Sequence, residues 1–357
     1  MPERMSGVDV VAPNFKRQLS GVTSTIVQLI PLQRRMGLGI VTLGPGLPDG
    51  LPKLGWTSLL HFWRKPERRN ARIWHARRNN EMVAGVLMRD VLRMPLRLVF
   101  TSAAQRNHKP FTKWLIRRMD AVIATSARSG SYLEVPHTVI MHGVDTKRFH
   151  LAETPDDEFA ASGLPGRYAI GCFGRVRHQK GTDLFVDAMI ALLPNYPDWT
   201  AIVTGRTTAE HKGFEDDLKA RIAEAGLEDR ILFLGEVPDI KVWYRRLSLY
   251  VAPSRNEGFG LTPLEAMASR TAVVASDAGA YAEMIKRGKT GAVVPAGDGA
   301  ALREAIRTYL ADPVLAAMHG DNALAHVREN FPLEKEATAI MDVYEKVFEE
   351  GSRAVGQ

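Results

Sequence analysis

The 357-residue chain, 45% hydrophobic and 24% charged, has the composition of a soluble globular protein with room for two domains of ordinary size. It contains no apolar run of about twenty residues and its first residues lack a secretory hydrophobic region, so neither a membrane span nor a cleaved export signal is expected. The single cysteine, Cys172, excludes an internal disulfide and a multi-cysteine metal site, and is expected to pack in a core. The net charge of +7 is unevenly divided: residues 1–150 hold 24 Lys and Arg against 9 Asp and Glu, residues 151–357 hold 23 against 31.

In chain order, Val8–Pro13 reads as a short strand, and Gln18-Leu-Ser-Gly-Val-Thr-Ser-Thr25 as a turn around Gly21 that opens a helix through Ile26, Leu29 and Ile30. The basic segments follow. Arg64–Arg72 with Arg77 and Arg78, and then Arg106–Arg118, interleave positive charge with Phe62, Trp63, Trp74, Phe111 and Trp114. That mixture suits an anionic membrane surface or a phosphorylated acceptor, because basic side chains gain from the lipid surface potential while aromatic rings settle at the interface. A solvated face that keeps the protein soluble is the plainer reading, but it does not call for so one-sided an excess. No RNA- or DNA-binding signature accompanies the charge, so nucleic acid is not expected as a partner. Two segments read as strand ends carry histidines: Ile73–Asn79, with His75, Arg77 and Asn79, and Leu96–His108, with Arg106 and His108. These five residues are candidates for the acceptor side of an active site, although a lone histidine is more often structural.

The polar stretch Ala152–Glu158 reads as a linker ending near Gly166, which sets domains at 1–164 and 165–332. Beyond it, the run Ala169–Phe173 leads into Gly174 and Arg175, then His178-Gln-Lys-Gly181 and a helix over Asp183–Leu193. Leu247–Ser254 and Thr271–Ser276 read as buried strands, and Leu333–Glu350 as a final helix with Ala337, Ile340, Met341, Tyr344, Val347 and Phe348 on one face. Strands alternating with helices throughout predict an α/β fold with parallel sheets.

Between those two strands lies Asn256-Glu-Gly-Phe-Gly-Leu-Thr-Pro-Leu-Glu265, which sets two carboxylates, Glu257 and Glu265, eight positions apart around a Gly258-x-Gly260 turn. Thr262 followed by Pro263 reads as an N-cap with proline at the first helical position. Amides at such a start attract phosphate, so the two carboxylates are placed to hold the sugar and ribose of a nucleotide sugar whose diphosphate rests between them. The plainer reading is a capping box, with Glu265 bonded back to the Thr262 amide. The strand–loop–helix–strand context favours a ligand, since open α/β sheets bind ligands at the carboxyl ends of their strands.

This Glu-x7-Glu element resembles that of the family 4 retaining glycosyltransferases of the GT-B fold. Gly174-Arg175 with Lys180-Gly181 resembles the family's diphosphate-binding segment. Ser276–Glu283, Gly288–Pro295 and His142-Gly-Val-Asp145 are also similar to its pattern. The resemblance implies two Rossmann-like domains facing each other across a cleft, with the last helix, about 333–350, crossing back to the first domain. It further implies a hexosyltransferase whose donor site is formed by Gly21, Gly174, Arg175, Lys180, Gly205, Arg206, Val237, Glu257, Gly258, Phe259, Gly260, Leu261, Thr262 and Glu265. Glu257, Arg175 and Lys180 would be the catalytic residues. The chain departs from the family at the front-domain strand end, where Ala103 stands near a customary histidine, and at the first loop, where Ser20 precedes Gly21 in place of a second glycine. No Asp-x-Asp occurs, so protein cations rather than a divalent metal are expected at the diphosphate, with no cofactor. Within the family the pattern is most similar to bacterial lipopolysaccharide-core mannosyltransferases. That implies GDP-mannose, a Kdo–lipid A type glycolipid acceptor, and peripheral attachment to the cytoplasmic face of the inner membrane. A UDP-hexose donor, and a non-catalytic polyanion-binding protein on the same scaffold, are the alternatives.

Overall fold

The computed structural model describes residues 5–17 and 21–353. It divides into two compact units, Met1–Gly143 with Leu333–Gln357, and Val144–Pro332. Each is built on one parallel sheet whose inner strands are short runs rich in Val, Ile, Leu and Ala and largely buried on both faces, as sheets covered by helices on both sides require.

The first unit has seven strands: β1 Val10–Pro13, β2 Ile40–Leu43, β3 Lys53–Leu54, β4 Arg72–Ala76, β5 Leu96–Ser102, β6 Ala121–Ala124 and β7 Thr138–Val139, in the order β3-β2-β1-β4-β5-β6-β7. The chain therefore reverses its direction of travel across the sheet between β1 and β4. The final helix, Leu333–Arg353, belongs to this unit. Its Ala337, Ile340, Tyr344, Val347 and Phe348 are buried in one cluster with Ile26, Leu29 and Ile30 of the helix Gly21–Arg35, as the helical spacing predicted.

The second unit has six: β8 Tyr168–Phe173, β9 Trp199–Thr204, β10 Ile231–Gly235, β11 Leu249–Ala252, β12 Ala272–Ser276 and β13 Gly291–Val294, in the order β10-β9-β8-β11-β12-β13. Its reversal falls between β8 and β11. Phe185, Val186, Met189 and Leu192 of the helix Thr182–Leu192 pack on Ile170, Cys172, Val203 and Val251. Cys172 is buried there, and burial pushes its thiol up to about 12, so it packs as a small apolar group.

Three sequence expectations need correction. The unit boundary falls at Gly143/Val144 rather than at 164. The polar stretch that resembled a linker folds onto the second unit because the Asp157 carboxylate is engaged. It takes the Arg245 guanidinium at 2.6 Å and accepts from the Glu153 and Thr154 amides. Among the interleaved aromatics, Trp74 and Phe62 are core residues. Within the basic run, Arg72 is fully buried: its guanidinium donates to the carbonyls of Val8 and Met5 and lies 5.6 Å from the Phe62 ring.

Candidate active site

The loops that follow β8 and β11 meet at the reversal point of the second sheet, the position where open α/β sheets hold ligands. They enclose a cavity lined by Phe173, Gly174, Arg175, Lys180, Thr262 and Tyr281, among others. Glycines let the strand ends crowd together here. The Gly174 amide donates to Thr204 and the Gly205 amide to Gly235, extending the ladder past β8 and β9. Gly205 has φ 137°, and a Cβ on it would overlap the Gly174 carbonyl, so no other residue fits. The chain then passes Arg175, makes a 3-10 turn over His178–Lys180 and enters the helix at Thr182.

That turn is latched to the β11 loop by Arg255. Its guanidinium forms a two-pronged pair with Asp183, both contacts 2.7 Å, and donates to the His178 carbonyl, while its amide donates to Gln179. The latch sets Lys180 beside Glu257, and the ammonium donates to Glu257 Oε2. Glu257 also accepts from the Gly258 amide at 3.1 Å, and the Tyr281 hydroxyl approaches it at 3.5 Å. A row of buried tyrosines lies beneath. Tyr281 is hydrogen-bonded to Ser254 and Thr262, and Tyr250 to Thr262 while it donates to the Phe173 carbonyl at 3.2 Å. Burial raises both phenols well above their ordinary range, which keeps them neutral.

Glu265 sits one turn into the helix Thr262–Ala268 and accepts from the Tyr244 hydroxyl at 2.8 Å. The capping box is not formed. Leu261 is the N-cap, Thr262 is already helical, and its hydroxyl is taken by the two tyrosines. Burial raises the Glu265 carboxyl pKa, against the hydrogen bond from Tyr244 and the charges of Arg148 and Lys180. A folded-state pKa above the unfolded one means that the folded protein binds the proton more tightly. Stability therefore falls as pH rises from the unfolded carboxyl pKa to the folded one, and stays lowered above it. Glu265→Gln, which keeps an acceptor for Tyr244, is expected to be at least as stable as wild type at pH 7, with the advantage shrinking in acid. The same variant is expected to bind donor more weakly. Thermal melts across pH and calorimetric donor titration check both, and an unchanged donor affinity would remove Glu265 from ribose binding.

The structure thus brings Gly174, Arg175, Lys180, Gly205, Glu257, Gly258, Phe259, Gly260, Leu261, Thr262 and Glu265 to one sheet edge. Arg206 adjoins them, its carbonyl accepting from the Val176 amide, and Val237 follows β10. The other candidates belong to the first unit. Gly21 opens its first helix, while Gln18, Leu19 and Ser20 of the expected glycine loop lie outside the described residues. His75 is fully buried, with Nδ1 at 2.6 Å from the Tyr344 hydroxyl and Nε2 at 2.7 Å from Thr101 Oγ1. Both ring nitrogens are committed, and burial and Arg77 hold its pKa well down, so it acts as a neutral clasp between β4 and the last helix. Arg77 follows β4. Asn79 begins the helix Asn79–Val86 and donates to Thr112 Oγ1 at 2.7 Å. His108, half-buried past β5, faces Ser102 Oγ at 3.4 Å and is shifted down by burial and by Arg106 and Lys113; Arg106 is exposed. Sequence reasoning missed Arg255, Asp183, Tyr244, Tyr281 and Glu81. Glu81 is fully buried at the first sheet's reversal point, where it accepts from the Arg77 and Arg78 amides and pairs with the Arg78 guanidinium. Its only signal was a carboxylate inside an apolar helical pattern.

Residues 156–326 match the family described as glycosyl transferases group 1. A Rhizobium leguminosarum bv. viciae protein, the lipopolysaccharide core biosynthesis mannosyltransferase LpcC, is 71% identical over 344 residues, spanning 96% of this chain and 97% of that one. The chain belongs to the group 1 glycosyltransferases. A second glycosyltransferase relative, the lipopolysaccharide core biosynthesis mannosyltransferase LpsB of Rhizobium meliloti (strain 1021), is 56% identical over 343 residues, 95% of this chain and 98% of that one. The fold is that of GT-B glycosyltransferases. Anabaena Alr3699/HepE in complex with UDP and glucose superposes with a TM-score of 0.79 at 20% identity, over 94% of this chain and 99% of that one. Membership in the family makes the protein a sugar-transferring enzyme.

Proposed function

We propose that this glycosyltransferase moves mannose from GDP-mannose to a Kdo–lipid A type acceptor during assembly of the lipopolysaccharide core, with retention of anomeric configuration. The observation that carries the reading is the Lys180–Glu257 pair, set beside Arg175 at the reversal point between β8 and β11. Near-full-length similarity to two lipopolysaccharide core mannosyltransferases supports the choice of sugar and acceptor. Breaking the anomeric C–O bond leaves charge on the diphosphate, and fixed cations aimed at that charge lower the barrier. Arg175 and Lys180 take this role. Glu257 holds the sugar, and the departing phosphate accepts the proton of the acceptor hydroxyl, so no covalent sugar intermediate on Glu257 is needed. The acceptor is a glycolipid, and we place the enzyme at the cytoplasmic face of the inner membrane, drawn to anionic lipid by its basic first unit. No described helix is long and apolar enough to cross a membrane.

A mass-spectrometric turnover screen of nucleotide sugars with a Kdo–lipid A precursor tests the reading. Addition of one hexose from GDP-mannose alone is expected, and transfer from a UDP-hexose instead would overturn the donor. The reaction is also proposed to need no divalent metal or other cofactor. EDTA is expected to leave turnover within about twofold of the untreated enzyme, protein cations serving at the diphosphate. Loss of activity in EDTA that Mg²⁺ or Mn²⁺ restores would refute this.

A further inference from the structure

The helix Asn79–Val86 of the first unit continues as a π-helical turn over Leu87–Val91, and its outward side carries three large apolar residues beside Asn79, Asn80 and Asp90. Val83, Leu87 and Val91 recur every four residues and are exposed, Val91 by 66%, while Met82, Val86 and Met88 fill the inward side. A surface helix ordinarily turns polar residues outward. The neighbouring helix Pro110–Ile116, tied on by the Asn79–Thr112 hydrogen bond, exposes Phe111 and Trp114, whose rings stack at 5.9 Å. Three contacts join these elements into one ridge. Arg118 bonds Asp90 at 2.8 Å and lies 4.7 Å from the Trp114 ring, and the Trp63 indole N–H donates to the Leu92 carbonyl at 2.9 Å. The exposed Arg93, Lys109, Arg117 and Arg118 rim it; Arg117 pairs with Glu134 and Arg118 with Asp90, so the rim is net positive rather than purely cationic.

We propose that this ridge, Trp63 with Leu87, Val91, Leu92, Phe111 and Trp114, is the surface by which the protein inserts into an anionic lipid bilayer. The inference rests on the membrane reading above and gives it a location. A contiguous exposed apolar patch marks an interaction site. The rim decides the partner: cations around aromatic and aliphatic side chains complement anionic headgroups above an apolar interior. Because the Trp63 N–H is already bonded within the protein, its ring can enter the interface without leaving a donor unpaired. A second copy of the chain fits poorly, since a two-fold contact through the ridge would set its net-positive rim against itself.

The test uses the full chain with phosphatidylcholine vesicles and with mixed phosphatidylglycerol–phosphatidylcholine vesicles, at low and high salt. Wild type is expected to sediment with the anionic vesicles only, and brominated lipid is expected to quench its tryptophan fluorescence. Leu87→Ser/Val91→Ser/Trp114→Ser should lower anionic-vesicle partitioning by about tenfold or more, the scale of withdrawing three partly inserted apolar side chains. Its circular dichroism should match wild type, because these side chains are exposed. Reversing Arg64, Lys65, Arg68 and Arg69 to Glu is the comparison arm. If that reversal releases the protein while the triple variant binds as wild type, membrane docking stands and the ridge is wrong. If wild type binds neither vesicle, both readings fall. If light scattering shows a dimer that the triple variant dissolves, the ridge is a self-interface and the proposal is overturned.

Discussion

Lys180→Ala is expected to reduce turnover by about two to three orders of magnitude while leaving the fold intact, the effect of removing one preorganised stabiliser of developing charge. The side chain stands on a short turn held by the Arg255–Asp183 latch, so truncation removes the cation without loosening the backbone that presents it. Arg175→Ala should lose turnover on a similar scale. Lys180→Arg should recover only part, because a planar fork cannot occupy the place of a compact ammonium beside Glu257. Glu257→Ala should also lose turnover without unfolding, since the residue precedes the helix. The double variant with Lys180→Ala separates the roles. If the lysine serves only to neutralise the carboxylate, the double variant should fall no further than Glu257→Ala; if each acts on the donor, the losses compound. Steady-state kinetics with unchanged melting temperatures provide the measurement. Lys180→Ala turning over within a few-fold of wild type would remove the residue from the chemistry.

Much of this site was legible because its chemistry is local. Arg175, Lys180, Glu257 and Glu265 lie in two short segments next to strands that announce themselves as runs of buried Val, Ile, Leu and Ala, and parallel pairing alone brings those segments to one edge. The less legible parts are set by partners far along the chain. The hydroxyl and carboxylate of Thr262-x-x-Glu265 match a capping box, yet both are claimed by tyrosines from other elements: Tyr250 and Tyr281 for Thr262, Tyr244 for Glu265. His75 looked like an acceptor-side candidate at a strand end. Its function is decided by Tyr344, on a helix 269 positions away that folds back on the first unit. Ala152–Glu158 has a linker's composition, but Asp157 is bonded to Arg245, 88 positions away. Hydrophobic pattern reports which face a residue turns inward; it does not report which polar group will meet it there.

Gly260→Ala is the second large effect expected, and it acts through the platform rather than through a charge. Gly260 has φ 85°, where a side chain costs roughly 1–2 kcal/mol, and a Cβ there would overlap the Tyr281 ring. The ring has little freedom to retreat. Its hydroxyl is shared among Ser254, Thr262 and Glu257, and it is fully buried on the helix Tyr281–Met284. Displacing it shifts Thr262 and Glu257 together, so the variant should lose donor affinity by at least about tenfold and melt several degrees lower, overpacking adding about 1–3 kcal/mol to the backbone strain. Gly213→Ala is the control in the same unit. That glycine has open space within 4 Å and lies in the helix Lys212–Glu224, so alanine there should be neutral or stabilising by about 0.4–1 kcal/mol. Adding Tyr281→Leu to Gly260→Ala relieves the overlap but neither the left-handed strain nor the missing hydroxyl. It should recover part of the melting temperature and none of the donor affinity. Calorimetric titration with donor and thermal melts on the four proteins carry the test. Wild-type affinity in Gly260→Ala would show that the loop before Thr262 yields freely and that Tyr281 does not set the position of Glu257.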